Sequence, residues 1–256
     1  MRSFVAFFKK ELMESTRSGK LMFFLLLCFS FGVMNPAIAK LTPWLLDLVS
    51  DSLSESGMTV TQVTVNALTS WTQFFKNIPI ALISFVFMYG NILTREYESG
   101  TLILVLTKGL SRYKVVLAKL GVMLGLWTAG YWLCFAVTYV YNDYFWDNTI
   151  ASNLFSAMLY WWLFGVFTVC ITLLFSVLFK NYSGVLLLTG ATVLFVYLIG
   201  LLPKLKYLVP TALMNGNALV FGLENGRDYL EAVVVTLLLC LVSIGASIPI
   251  MNQKSL

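Results

Sequence analysis

The sequence predicts an all-α polytopic membrane protein with six transmembrane helices and an N-terminal interfacial helix, and three observations carry that prediction. Apolar residues make up 59% of the 256 and charged residues only 11%, against about 25% charged in a soluble domain. Six apolar stretches, at 21–39, 74–93, 115–141, 151–179, 184–202 and 229–251, are long enough to cross a hydrocarbon core about 30 Å thick. Finally, of the 17 Lys and Arg only Lys40, Lys76, Lys204, Lys206 and Arg227 fall on the side that alternation makes external, which is the cytoplasmic bias of basic residues in multispan proteins.

Residues 1–20 mix Phe4, Val5, Phe7, Phe8, Leu12 and Met13 with Arg2, Lys9, Lys10, Glu11, Glu14 and Arg17. This pattern predicts an amphipathic helix lying in the membrane interface, apolar face to lipid and basic face to the headgroups. The first span follows, and Ala37-Ile38-Ala39 at its end mimics a signal-peptidase site. The long amphipathic stretch ahead of it argues for a retained helix. Residues 40–73 hold Asp47, Asp51 and Glu55 among several serines and read as an external loop, with short interfacial helices at 44–46 and 71–75. Pro79 is expected near the outer end of the second span, where a helix tolerates proline.

In the third span Lys119 stands about one turn inside, placed to snorkel toward the headgroups, and Gly121 and Gly125 let another helix approach closely. Asp143 and Asp147 mark an external turn. Thr168, Thr172 and Ser176 lie on one face of the fourth span; such a stripe either lines a pathway or bonds its own and neighbouring backbones. After the fifth span, 203–228 carries Pro203, Pro210 and Gly222 and forms the connection to the last span.

Composition also removes functions. The formal net charge is +5, but the basic residues are scattered between apolar runs and line no face for nucleic acid. Histidine is absent, which removes the commonest general base and metal ligand. Cys28, Cys134, Cys170 and Cys240 all sit within apolar runs and read as core residues. The span cores contain no ionisable relay of the kind ion-coupled transporters keep, and no Gly-x-x-x-x-Gly-Lys-Ser/Thr loop occurs, so the chain lacks that route to ATP hydrolysis. It is expected not to be an enzyme.

The segment 94–114 is the most distinctive. It runs Arg95-Glu96-Tyr97-Glu98-Ser99-Gly100-Thr101, then the apolar residues 102–106, then Lys108, Gly109, Ser111, Arg112, Tyr113 and Lys114. Leu102, Val105 and Leu106 have helical spacing, Gly109 suits a left-handed helix stop and Ser111 a helix start. This run, with Phe7-Phe8-Lys9-Lys10-Glu11-Leu12 upstream, resembles the cytoplasmic coupling segment and connecting helix of type-2 ABC exporter permeases.

The resemblance implies a type-2 ABC exporter permease architecture in a prokaryotic cell membrane, with both termini cytoplasmic and 203–228 folded partly back into the outer leaflet. It implies as partners a cytoplasmic ABC ATPase subunit, a second permease copy or homologue, and membrane lipids. No cofactor is expected on this chain, with ATP and Mg carried by the partner ATPase. Arg95, Glu96, Glu98, Ser99, Gly100, Thr101 and Arg112 would then form the ATPase-coupling site. A pathway lined by spans two and five would present Phe85, Met88, Tyr89, Phe195 and Tyr197, walls that suit a hydrophobic or amphipathic substrate such as a peptide, lipid or drug. The alternative is a non-transport membrane scaffold or sensor that docks a soluble partner through the same segment.

Overall fold

A computed structural model describes residues 2–55, 65–107 and 109–254. Residues 56–64 of the expected external loop, Lys108 and the Val105 side chain lie outside that description. The described residues are helical, with no strand among them. In chain order they form α1 (Arg2–Arg17), α2 (Lys20–Glu55), α3 (Ala67–Tyr89), α4 (Thr94–Glu98), α5 (Thr101–Thr107), α6 (Arg112–Phe145), α7 (Leu154–Leu178), α8 (Tyr182–Gly200), α9 (Gly216–Val220) and α10 (Leu230–Gln253). Six helical stretches are long and apolar enough to cross a membrane, one each built around α2, α3, α6, α7, α8 and α10.

Two spans reach further than the hydropathy pattern indicates. α2 does not give way to a loop at residue 40 but continues to Glu55, roughly 54 Å in all at a rise of about 1.5 Å per residue. α3 begins at Ala67, where the Asn66 side chain accepts the Thr69 amide. Pro79 therefore lies in the interior of α3 rather than at its end. Polar residues such as Thr69, Thr72 and Gln73 masked the helix start, because hydropathy reports the lipid-contacting part of a helix and not its full length.

Pro36 lies inside α2 and offers no N–H to the Gly32 carbonyl one turn earlier. The Thr138 hydroxyl of α6 donates to that carbonyl at 3.1 Å and accepts from Asn35 Nδ2 at 3.1 Å. Asn77 of α3 completes the link by donating to Asn35 Oδ1 at 2.7 Å. Three spans are thus joined by one polar chain that satisfies the backbone group freed by proline.

An aromatic column fills the space between α2, α3 and α6. Phe24 meets Phe85 at 5.1 Å, Phe85 meets Tyr89 at 4.8 Å and Trp127 at 5.8 Å, and Trp127 meets Tyr131 at 5.5 Å. Two glycines make room for it: a Cβ on Gly130 would stand 2.2 Å from Phe24, and one on Gly165 of α7 would stand 2.2 Å from Trp127. The Gly121 and Gly125 pair does not seat another span. Gly121 faces Phe8 of α1 and Gly125 faces open space.

At the end of the bundle away from α4 and α5, the 203–229 connection packs on α7 through Trp161, whose Nε1 donates to Met214 O at 3.0 Å. Its centre is Glu224, which accepts hydrogen bonds from Lys206 and Tyr207 at 2.9 and 2.8 Å, from Asn215 at 3.2 Å and from Tyr229. Desolvation works against the ionised carboxylate, but these donors and the Lys206 charge outweigh it and hold Glu224 below its ordinary pKa.

Candidate functional site

α1 places Phe7, Glu11 and Ser15 on one face by their helical spacing, and all three are buried. Phe4 and Phe8 also pack against the core, so the larger apolar surface of α1 covers the bundle, while Val5, Leu12 and Met13 remain exposed. That departs from the expectation of a helix whose whole apolar face meets lipid. The reason is Glu11, a carboxylate that finds its counter-charge inside the protein.

That counter-charge is Lys119. Its ammonium is buried, 1% exposed, and does not snorkel to the interface as the sequence predicts. Lys119 Nζ lies 2.9 Å from Glu11 Oε2 and 3.2 Å from Glu96 Oε2, and donates to Ile92 O at 2.8 Å. Lys10 Nζ closes the arrangement at 2.9 Å from Glu11 Oε1, 3.2 Å from Glu96 Oε1 and 3.1 Å from Glu14 Oε2. Two carboxylates and two ammoniums thus alternate in a ring that joins α1, α4 and α6. Glu14 also meets Arg95 Nη1 at 3.5 Å.

The ring polarises its own members. Desolvation penalises ionised Glu11, yet the charges and hydrogen bonds of Lys119 and Lys10 overcome that penalty and hold its carboxyl below the ordinary range. Burial likewise opposes the Lys10 charge, and Glu11, Glu96 and Glu14 outweigh it, raising the Lys10 pKa.

A second set of contacts fixes α4 and the start of α6 from the other side. Arg112 Nη1 donates to the Met251, Asn252 and Lys254 carbonyls at 2.9, 3.0 and 2.7 Å, the last turn of α10. Lys254 Nζ donates to Val177 O and Leu178 O at the end of α7 and stands 4.3 Å above the Tyr97 ring. Burial, with Lys180 adding repulsion, lowers the Lys254 pKa to about 8. Tyr97 in turn donates to Met251 Sδ at 3.1 Å.

Gly100, between α4 and α5, has φ +68, and Gly109, between α5 and α6, has φ +85, left-handed values at which a side chain is strained. Ser111 holds the N-cap position of α6, but its side chain makes no capping bond. No known family, curated protein or solved structure matches the chain.

The expected coupling residues divide into two groups. Glu96 and Arg112 turn inward to the ring and to α10, with Arg95 on the rim. Glu98, Ser99 and Thr101 are exposed around Gly100, with Ser99 and Thr101 hydroxyls 2.8 Å apart and Ile103 48% exposed beside them.

The expected pathway residues are not brought together. Phe85 and Tyr89 belong to the interior aromatic column, Tyr89 bonding Ser15 at 3.0 Å, and Met88 packs against the same core. Phe195 and Tyr197 are exposed on α8. The hydroxyls of Thr168, Thr172 and Ser176 donate to carbonyls of their own helix.

Sequence reasoning did not place Lys10, Glu11 and Lys119 in one site. Two signals were present: a carboxylate in phase with Phe7, and a lysine inside a span with no partner in its own helix.

Proposed function

We propose that this chain is the transmembrane permease subunit of an ATP-driven exporter of the type-2 ABC class, with 94–114 as the docking segment for a cytoplasmic ABC ATPase. The observation that supports it most is the construction of that segment. An exposed ridge of Glu98, Ser99, Gly100, Thr101 and Ile103 projects from the bundle end, while Glu96 and Arg112 strap it to α1, α6 and α10. A push on the ridge would reach three helices at once through short, charge-assisted contacts.

On this reading the α4–α5 end is cytoplasmic, both termini lie on that side, and ATP and Mg are handled by the partner. A second permease copy or homologue would supply the other wall of the pathway. The exposed residues of α8, Phe195 and Tyr197 among them, offer apolar and aromatic surface on which a small ion or sugar would lose its hydration without compensation. The cargo proposed is therefore hydrophobic or amphipathic.

The test is purification from the native host in mild detergent. An ATP-hydrolysing subunit should accompany the wild-type chain and be lost with Gly100→Leu, which forces a branched side chain into a left-handed turn while membrane insertion persists. A complex without an ATP-binding protein would refute the proposal.

A further inference from the structure

A cavity of about 440 Å³ is lined by the ion ring itself together with Glu14, Ser18, Lys20, Tyr89, Asn91 and Arg95. It sits where the first candidate span begins, at Lys20, and beside the end of the second, which on the topology proposed above is the depth of lipid headgroups. Its charges do not balance. Lys10, Lys119 and Arg95 are each paired with Glu11, Glu14 or Glu96. Lys20 is the remaining lining cation, and no carboxylate among the described residues pairs with it.

Lys20 Nζ donates to Met88 O at 2.8 Å and to Asn91 Oδ1 at 2.9 Å, both neutral, and an ammonium has three donors. Arg95, which lines the same cavity, spends one nitrogen on Glu14 at 3.5 Å and its side chain is 62% exposed. A guanidinium carries five N–H donors. Two cations with donors to spare therefore line one cavity: Lys20 has no ion-pair partner among the described residues, and Arg95 has only Glu14 at 3.5 Å.

We infer that this cavity binds a phosphate group, held between the Lys20 ammonium and the Arg95 guanidinium. A phosphate accepts charge-assisted hydrogen bonds from both at once, and a single negative charge balances Lys20, the lining cation that Glu11, Glu14 and Glu96 leave unpaired. The volume holds a phosphate with its ester substituent and several waters at about 30 Å³ each. At this depth the chemistry is that of a phospholipid headgroup or of free phosphate reaching the interface.

The full chain in a maltoside detergent, which carries no phosphate, separates these sources without any partner protein. Short-chain phosphatidylglycerol and inorganic phosphate are titrated at constant ionic strength while thermal unfolding is followed. A bound ligand at several times its dissociation constant should raise Tm by about 3 °C. A rise with the lipid alone identifies a headgroup site, and a rise with both identifies a site for phosphate itself. Lys20→Met should abolish the rise, Lys20→Arg should keep it, and Lys9→Met, at an exposed position outside the cavity, should leave it intact. Arg95→Gln serves as a second test if Lys20→Met does not accumulate. No rise with either ligand, or equal loss in Lys20→Met and Lys9→Met, overturns the proposal.

Discussion

Lys119 Nζ and Glu11 Oε2 stand 2.9 Å apart although their residues are 108 positions apart in sequence, and both side chains are buried. Removing one member leaves a buried charge short of its partner, which costs about 3–5 kcal/mol where no other partner is at hand. Here Glu96 and Lys10 remain, so Glu11→Gln and Lys119→Met should each cost about 2–4 kcal/mol. The double variant Glu11→Gln/Lys119→Met should cost less than the sum of the two. A double-mutant cycle on unfolding in detergent measures this, and strict additivity would show that the pair is not coupled.

Acid should loosen α1. Glu11 is held below its ordinary value of 4.5, so between its folded value and 4.5 the folded state binds fewer protons than the unfolded one. The stability Glu11 contributes is then fully present above pH 4.5 and is lost as pH falls through the folded value. Glu224 follows the same sign at the opposite end. Protection of α1 amides from hydrogen exchange, relative to their intrinsic rates, should fall as pH drops below about 4.5 in wild type, and Glu11→Gln should show lowered protection with little pH dependence. Equal pH dependence in the variant would remove Glu11 as the cause.

Much of the fold was legible because spanning helices are written in long apolar runs, and the turn at Gly109 was legible because a left-handed stop favours glycine. What hydropathy could not show is where α2 and α3 continue beyond lipid, since a helix in water needs no apolar run. The residues 95–101 could be picked out as a unit by their charge density. Their division into an inward Glu96 and an outward Glu98 could not, because it depends on Lys119 arriving from another span. Phe85 and Phe195 look alike in sequence, each an aromatic in an apolar helix, yet one is interior and the other exposed. A helix apolar all round carries no periodic signal to separate them.

Thr138 should matter out of proportion to its size. Thr138→Val is nearly isosteric, but it leaves Gly32 O without the donor that replaces the Pro36 N–H and takes the acceptor from Asn35 Nδ2. An unsatisfied buried polar group costs about 1–3 kcal/mol. Thr138→Ser keeps the hydroxyl and should cost about 1 kcal/mol, the lost methyl group alone. Thermal unfolding of both variants in one detergent decides the matter; equal losses would mean that packing, not the hydrogen bond, is what Thr138 supplies.

Arg112 and Glu98 both belong to the segment proposed for docking, but the structure gives them different work. Arg112 bonds three carbonyls of the last turn of α10, and hydrogen bonds from a charged donor contribute about 1.5–3 kcal/mol each, so Arg112→Ala should lower Tm in the purified chain without any partner present. Glu98 is exposed and has no ion pair among the described residues, and Glu98→Ala should leave stability within about 0.5 kcal/mol of wild type. Co-purification with an ATP-hydrolysing subunit should show the reverse order at equal folded protein. Glu98→Ala with Ile103→Ser should weaken it directly, while Arg112→Lys, which keeps one charged donor toward the carbonyls, should retain most of it. If Arg112→Lys lost the partner at unchanged Tm while the Glu98 and Ile103 variant kept it, the docking surface would have to be moved from the exposed ridge to Arg112 itself.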